Sequence, residues 1–214
     1  MNKIIKRSLQ TIVAAAIVSG TYFGRHGDLP PFYSHKTSDS YGINVALYTE
    51  IDRGVSVNGL NVSVITNNCG TINGANVSIV NNTEGTFNGL NVDAVSVNNN
   101  GKIKGANISL LTLAERNSIL KGANISIGHA NYGKLIGANV SFLNLGEKGS
   151  QVKGLELGIV NCPENGDECT DLQGIAIGVI NYHGKLNGLQ VGLYNQSDDS
   201  KGVLLNFYSD KKEK

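Results

Sequence analysis

The chain has 214 residues, enough for one domain or one repeat array. Hydrophobic residues make up 40% and charged residues only 16%, against roughly 25% charged in an ordinary globular protein, and 27 Gly fill much of the gap. The net charge is +1, and setting aside the basic first twenty residues leaves 15 basic against 17 acidic side chains, a near-neutral balance that argues against a nucleic-acid footprint.

Residues 1–20 read as a secretory signal. "MNKIIKRS" supplies the positive start, "LQTIVAAAIVSG" the apolar stretch, and Val18 and Gly20 a small-residue cleavage site before Thr21. The apolar run is short for a transmembrane helix, although an uncleaved anchor stays open as the alternative. The expected location is therefore exported: cell surface, outer-membrane-associated, periplasmic or secreted. Residues 21–41 contain "GDLPPFYSHK" and read either as a linker or as a cap folded over the first repeat by Pro30, Pro31, Phe32 and Tyr33.

Residues 42–208 form a repeat domain. Eleven glycines recur, from Gly42 through Gly59, Gly74 and Gly89 to Gly188 and Gly202, mostly 14 to 17 residues apart with one gap of 20. Two before the Gly an apolar residue stands in nine units, as Ile72, Phe87 and Ile103 do. After the Gly, apolar residues alternate with Asn and Ser, as in "GANVSIV". Such alternation marks a strand with one buried face. The expected buried set is Ala75, Val77 and Ile79, with Asn76 and Ser78 opposite. The apolar residue before the Gly then has the wrong parity, and a bend at the Gly is invoked to turn it into the same core.

The fold expected from this is all-β, a parallel β-solenoid of about ten coils of 14–17 residues. Equivalent residues stack about 4.8 Å apart in such a fold, which rewards an identical block in every coil and makes an amide ladder of the repeated Asn. An up-and-down antiparallel β-barrel is the alternative, since strands of about eleven residues can span a membrane. Antiparallel neighbours give no reason for the same five residues in every strand, and with no Trp and 6% aromatics an interfacial girdle is poorly supplied.

Cys162 and Cys169 bracket "PENGDE" and are expected to staple that loop as a structural disulfide in an oxidising compartment, leaving Cys69 over. Residues 209–214 form a charged tail. The units "GLELGIVN", "GIAIGVIN" and "GLQVGLYN" resemble the Gly-Leu-Gln-x-Gly-Leu-x-Asn repeats of bacterial surface-repeat proteins of the leptospiral type, best over residues 154–195. The Ala-Asn-Val-Ser half departs from that pattern. The resemblance implies an exported bacterial protein and transfers no catalytic residue.

No reacting constellation is legible. His26, His35, His129 and His183 are scattered in sequence, so neither a metal site nor a nucleophile–base pair is implied. Asp93 and Glu156 interrupt the polar strand face four units apart, about 19 Å at the sheet spacing, beyond the roughly 5–9.5 Å of a glycosidase pair. No catalytic, cofactor or metal residue is therefore assigned, and the expected function is a non-enzymatic structural or binding module. Its partner is an unidentified surface protein or polysaccharide, with membrane contact only through the signal or anchor unless the chain is a barrel. The candidate ligand face is the polar grid of Asn61, Ser63, Asn76, Ser78, Asn107, Ser109, Asn124, Ser126, Asn139 and Ser141. A rigid grid of amides and hydroxyls can bind a repetitive polysaccharide with little loss of entropy, and a polysaccharide-binding or polysaccharide-active solenoid is the second alternative to the barrel channel or anchor.

Overall fold

A computed structural model describes residues 33–161 and 169–209. The signal segment, most of the linker or cap, Cys162 and the end of the tail lie outside the described residues. The described chain is all strand and turn, in one sheet of fourteen strands. They are β1 (Tyr33–Lys36), β2 (Ser40–Ile51), β3 (Ser56–Asn68), β4 (Thr71–Thr83), β5 (Thr86–Asn98), β6 (Lys102–Ala114), β7 (Ile119–Asn131), β8 (Lys134–Gly146), β9 (Gln151–Leu157), β10 (Val160–Asn161), β11 (Asp171–Ile177), β12 (Ile180–Tyr182), β13 (Leu186–Gln196) and β14 (Lys201–Tyr208).

Successive coils pair in parallel and in exact repeat register. Gly59 pairs with Gly74, Gly74 with Gly89 and Gly89 with Gly105, and Asn61, Asn76, Asn91 and Asn107 follow in the same rows. The series runs from Gly42 to Gly188, ten rows in all. This is a parallel β-solenoid and not a barrel. The parallel pairing begins upstream of Gly42, because Tyr33–Lys36 lies beside Tyr48–Ile51 as a partial row and the Tyr33 ring stacks on Tyr48 at 5.2 Å. At the other end β14 turns back antiparallel to β13, so Gly202 does not open an eleventh coil. Its strand, "GVLLNFY", has lost the alternation that the parallel rows share.

Each coil bends at its Gly and again where the ladder skips one residue, between Ser63↔Ser78 and Ile65↔Val80. The core is a single-file column of the apolar residues that precede the glycines. Ile72, Phe87, Ile103 and Leu135 are fully buried, with Val57, Leu120, Val152, Leu172 and Leu186 in the same cluster. Each such side chain stabilises the fold by roughly 1.5–3 kcal/mol through burial.

The rest of the interior is largely polar, chiefly Asn, Ser and Thr, beside a smaller apolar cluster of Val97, Leu113 and Ala130, which corrects the expected inside and outside of the strands. Asn61, Asn76, Asn107, Asn124 and Asn139 have no exposed surface, and Ser63, Ser78, Ser109, Ser126 and Ser141 are buried too. The residues expected in the core point outward: Val77 is 42% and Ile79 55% exposed. The physical reason is parity. The apolar residue two before the Gly and the Asn two after it share one face of the strand, so a core built on the first must enclose the second.

Candidate functional site: a polar interior beneath an apolar face

Enclosing an amide is costly unless all its hydrogen bonds are met. Here the row spacing meets them. Asn61 Nδ2 donates to Asn76 Oδ1 at 2.6 Å, Asn76 to Asn91 at 2.8 Å, Asn91 to Asn107 at 2.7 Å, and Asn107 to Asn124 and Asn124 to Asn139 at 2.8 Å each. The second N–H finds an acceptor in its own coil, a hydroxyl for Asn107 on Thr112 at 3.1 Å and for Asn61 on Thr66 at 3.0 Å, and an amide oxygen for Asn139 on Asn144 at 2.5 Å. A second ladder runs from Asn144 through Asn161 and Asn181 to Asn195 at 2.5–2.7 Å. The polar grid is thus a scaffold interior, and none of its ten residues is displayed to a ligand.

The first ladder changes composition after Asn139. Its next rows hold Glu156, Ala176 and Gln190. Ala176 is too short to reach either neighbour, and His183 takes its place. His183 Nε2 lies 2.8 Å from Glu156 Oε2, and Gln190 Nε2 lies 2.7 Å from His183 Nδ1. Asn206 of β14 then donates to Gln190 Oε1 at 2.7 Å. A Gln190 amide that donates to Nδ1 fixes the proton of His183 on Nε2, facing the carboxylate. Asn139 Nδ2 approaches the other Glu156 oxygen at 3.5 Å. Two runs of donors, one from each end of the solenoid, therefore meet at Glu156. Only an acceptor-only side chain fits that junction. His183 has no clustered partner in the sequence, and the one signal for its role there is the lone Ala in the Asn column.

Two further buried titratable groups, besides Glu156 and His183, interrupt the polar interior. Asp93 stands where its neighbours carry Ser78 and Ser109. Burial pushes its carboxyl up to about 7, opposed in part by hydrogen bonds from Asn91, Ser96 and Asn81. His129 stands between Thr112 and Asn144. Neither ring nitrogen has a hydrogen-bond partner of good geometry, and burial pushes its pKa down to about 4 against smaller upward pulls from Glu156 and Asn139. Both groups are inside the solenoid.

The outside carries the opposite chemistry. The positions one, three and five after each Gly make three columns of ten rows, and every one of these is Ala, Val, Leu, Ile or Phe. Ile127 is 53%, Phe142 62% and Leu193 64% exposed. Nine row steps of about 4.8 Å and four residues of about 3.3 Å make a strip of roughly 43 by 13 Å. That is close to 600 Å², the top of the range for the largest apolar patch on a monomer. A shallow apolar groove crosses it between Ile125, Val140, Phe142 and Ile159, where Gly158 replaces the Ser of earlier rows.

Parallel register also gathers one polar cluster that sequence spacing hid. His35 pairs beside Glu50, and Asp52 follows two residues later on the same side of the strand. Their ligand-type atoms lie within 4.8 Å of one another, a separation compatible with a divalent cation. His35 Nε2 is 3.0 Å from Asp52 Oδ1, and the Tyr33 hydroxyl donates to Glu50 at 2.5 Å. Cys69 is free, and burial beside Glu84 pushes its thiol up to about 11, the direction that suppresses thiolate reactivity. Cys169 is disulfide-bonded; its expected partner, Cys162, lies outside the described residues. No helix among the described residues is long and apolar enough to cross a membrane. No protein-family model, curated protein or solved structure matches this chain.

Proposed function

We propose that this chain is an exported, non-enzymatic interaction module of a bacterial envelope: a stiff rod that works by docking its apolar outer face. The observation that carries this reading is the absence of any polar side chain from three columns of ten rows on one face, beside an interior that encloses the Asn and Ser of the same strands. Parity encloses the Asn, but nothing in the fold itself calls for Val, Ile and Leu rather than polar residues at the outward positions. Export rests on the signal-like first twenty residues and on the resemblance of residues 154–195 to bacterial surface repeats.

The test is fractionation of cells producing the full chain. Wild-type protein is expected with the envelope, and the triple variant Ile79→Ser, Ile127→Ser, Phe142→Ser is expected in the soluble fraction with its β circular dichroism unchanged. These three side chains are more than half exposed, so their replacement removes little from the core. Identical partition of both proteins sinks the reading.

A further inference from the structure

We propose that the surface on which the apolar face docks is a bilayer containing anionic phospholipid. This rests on the preceding assignment of that face as the binding surface and adds its partner. The added observation is the charge on one flank. The outward positions one and three before each Gly lie immediately beside the first apolar column. From the Gly105 row onward they carry Lys102, Lys104, Lys121, Lys134, Lys153 and Lys185, against the single acid Asp171. Lys102, Lys104, Lys121 and Lys185 are exposed. The opposite flank, six after the Gly, is Ile65, Val80, Val95, Leu111 and their equivalents, with no charge.

This one-sided fringe decides between the two occupants that an apolar strip could take. In a face-to-face pair of copies, a twofold axis along the rod sets the lysines against the apolar flank. A twofold axis across it sets lysines against lysines. Neither arrangement offers an acid to the fringe, and a strip of roughly 600 Å² per partner reaches only the lower end of the standard interface range. A lipid surface answers both features at once. Val, Ile, Leu and Phe enter the boundary between headgroups and acyl chains, while the lysines extend their stems along the strip and place their ammonium groups among phosphates. Each lysine near an anionic surface contributes about 1 kcal/mol. The flat, rigid sheet orders nothing on binding.

The experiment uses the full chain in a Cys69→Ser background with an environment-sensitive fluorophore attached through Ile127→Cys. A second protein carries the fluorophore through Asn99→Cys, in an exposed turn away from the face. Vesicles of phosphatidylcholine with and without phosphatidylglycerol are added. The expected result is a blue shift at position 127, none at position 99, and binding at least ~10-fold tighter to the anionic vesicles. Changing Lys104, Lys121 and Lys153 to Gln is expected to abolish that preference, and high salt to weaken it. A blue shift at 127 without vesicles, growing with protein concentration, identifies a second copy as occupant and overturns the proposal. So does the absence of a shift with either vesicle. If the fractionation variant still leaves the envelope in that case, the face docks on a protein and the broader reading stands. If partition is also unchanged, both fall.

Discussion

His183 Nε2 lies 2.8 Å from Glu156 Oε2, although 27 residues separate them in the chain. The contact exists because Ala176 leaves a gap in the Asn column and the histidine of the same coil turns in to close it. The pair joins the Asn ladder to the Gln190–Asn206 contact that ties down the antiparallel last strand.

Glu156→Ala is therefore expected to destabilise the protein well beyond a surface change. It leaves donors of Asn139 and His183 without an acceptor, each at about 1–3 kcal/mol. Urea unfolding followed by circular dichroism measures this, and a midpoint equal to wild type removes the junction role given to Glu156.

Asn107→Ala tests the interior ladder against an outer one. Inside, it strands the donors of Asn91 and Ser96, which both reach Asn107 Oδ1, an expected loss of about 2–6 kcal/mol. Asn88→Ala breaks a contact of similar length, 2.7 Å to Asn73, but on the solvent side, where water replaces the lost partner and the expected change is under about 1 kcal/mol. Equal losses from the two variants contradict the assignment of inside and outside.

Gly105→Ala and Gly149→Ala separate steric from conformational cost. Both glycines have positive φ, 126° and 91°. A Cβ on Gly105 meets the Gly89 carbonyl oxygen at 2.1 Å, whereas a Cβ on Gly149 meets nothing within 4 Å. The second change is expected to cost about 1–2 kcal/mol. The first forces two rows apart and is expected to abolish cooperative thermal unfolding; a melt like that of the Gly149 variant contradicts the close row contact.

Asp93 and His129 predict opposite pH slopes. Asp93 keeps its proton in the fold up to about pH 7 but loses it near 3.8 when unfolded, so its contribution falls as pH rises through that window. His129 is neutral in the fold down to about pH 4 but protonates near 6.5 when unfolded, so its contribution falls as pH drops from 6.5 toward 4. Each effect is on the order of 3–4 kcal/mol, and between pH 4 and 6.5 they offset one another. Asp93→Asn is expected to unmask stability that rises with pH over that interval, and His129→Asn stability that falls. Urea midpoints at pH 4.5, 5.5 and 6.5 read both, and parallel profiles for the two variants refute the pair of burial arguments.

Much of the architecture was legible in the sequence. The glycine spacing of 14 to 17 residues fixed the coil, and identical blocks identified parallel stacking, because parallel rows place Asn76 on Asn91 and Gly74 on Gly89. The sidedness was misread although its signal was present. Ile72 and Asn76 stand four residues apart, an even separation, so no bend was needed to bring them to one face. Polarity alone suggests exposure, whereas stacked amides satisfy one another and can be enclosed. The junction at Glu156 was illegible for another reason. It depends on a side chain reaching across rows, and His183 announces its partner neither by spacing nor by a local motif. The same holds for His35, Glu50 and Asp52, which only parallel register brings together.

The ladder has a direction. From Asn44 to Asn139 every amide donates to the next coil and accepts from the one before, so the side-chain dipoles add along the axis as peptide dipoles do in an α-helix. At its acceptor end the Ser34 hydroxyl donates to Asn44 Oδ1 at 2.8 Å. At its donor end sits the Glu156 carboxyl. The ladder thus carries a built-in electrical polarity, capped at both poles, with an acidic side chain enclosed at the positive one.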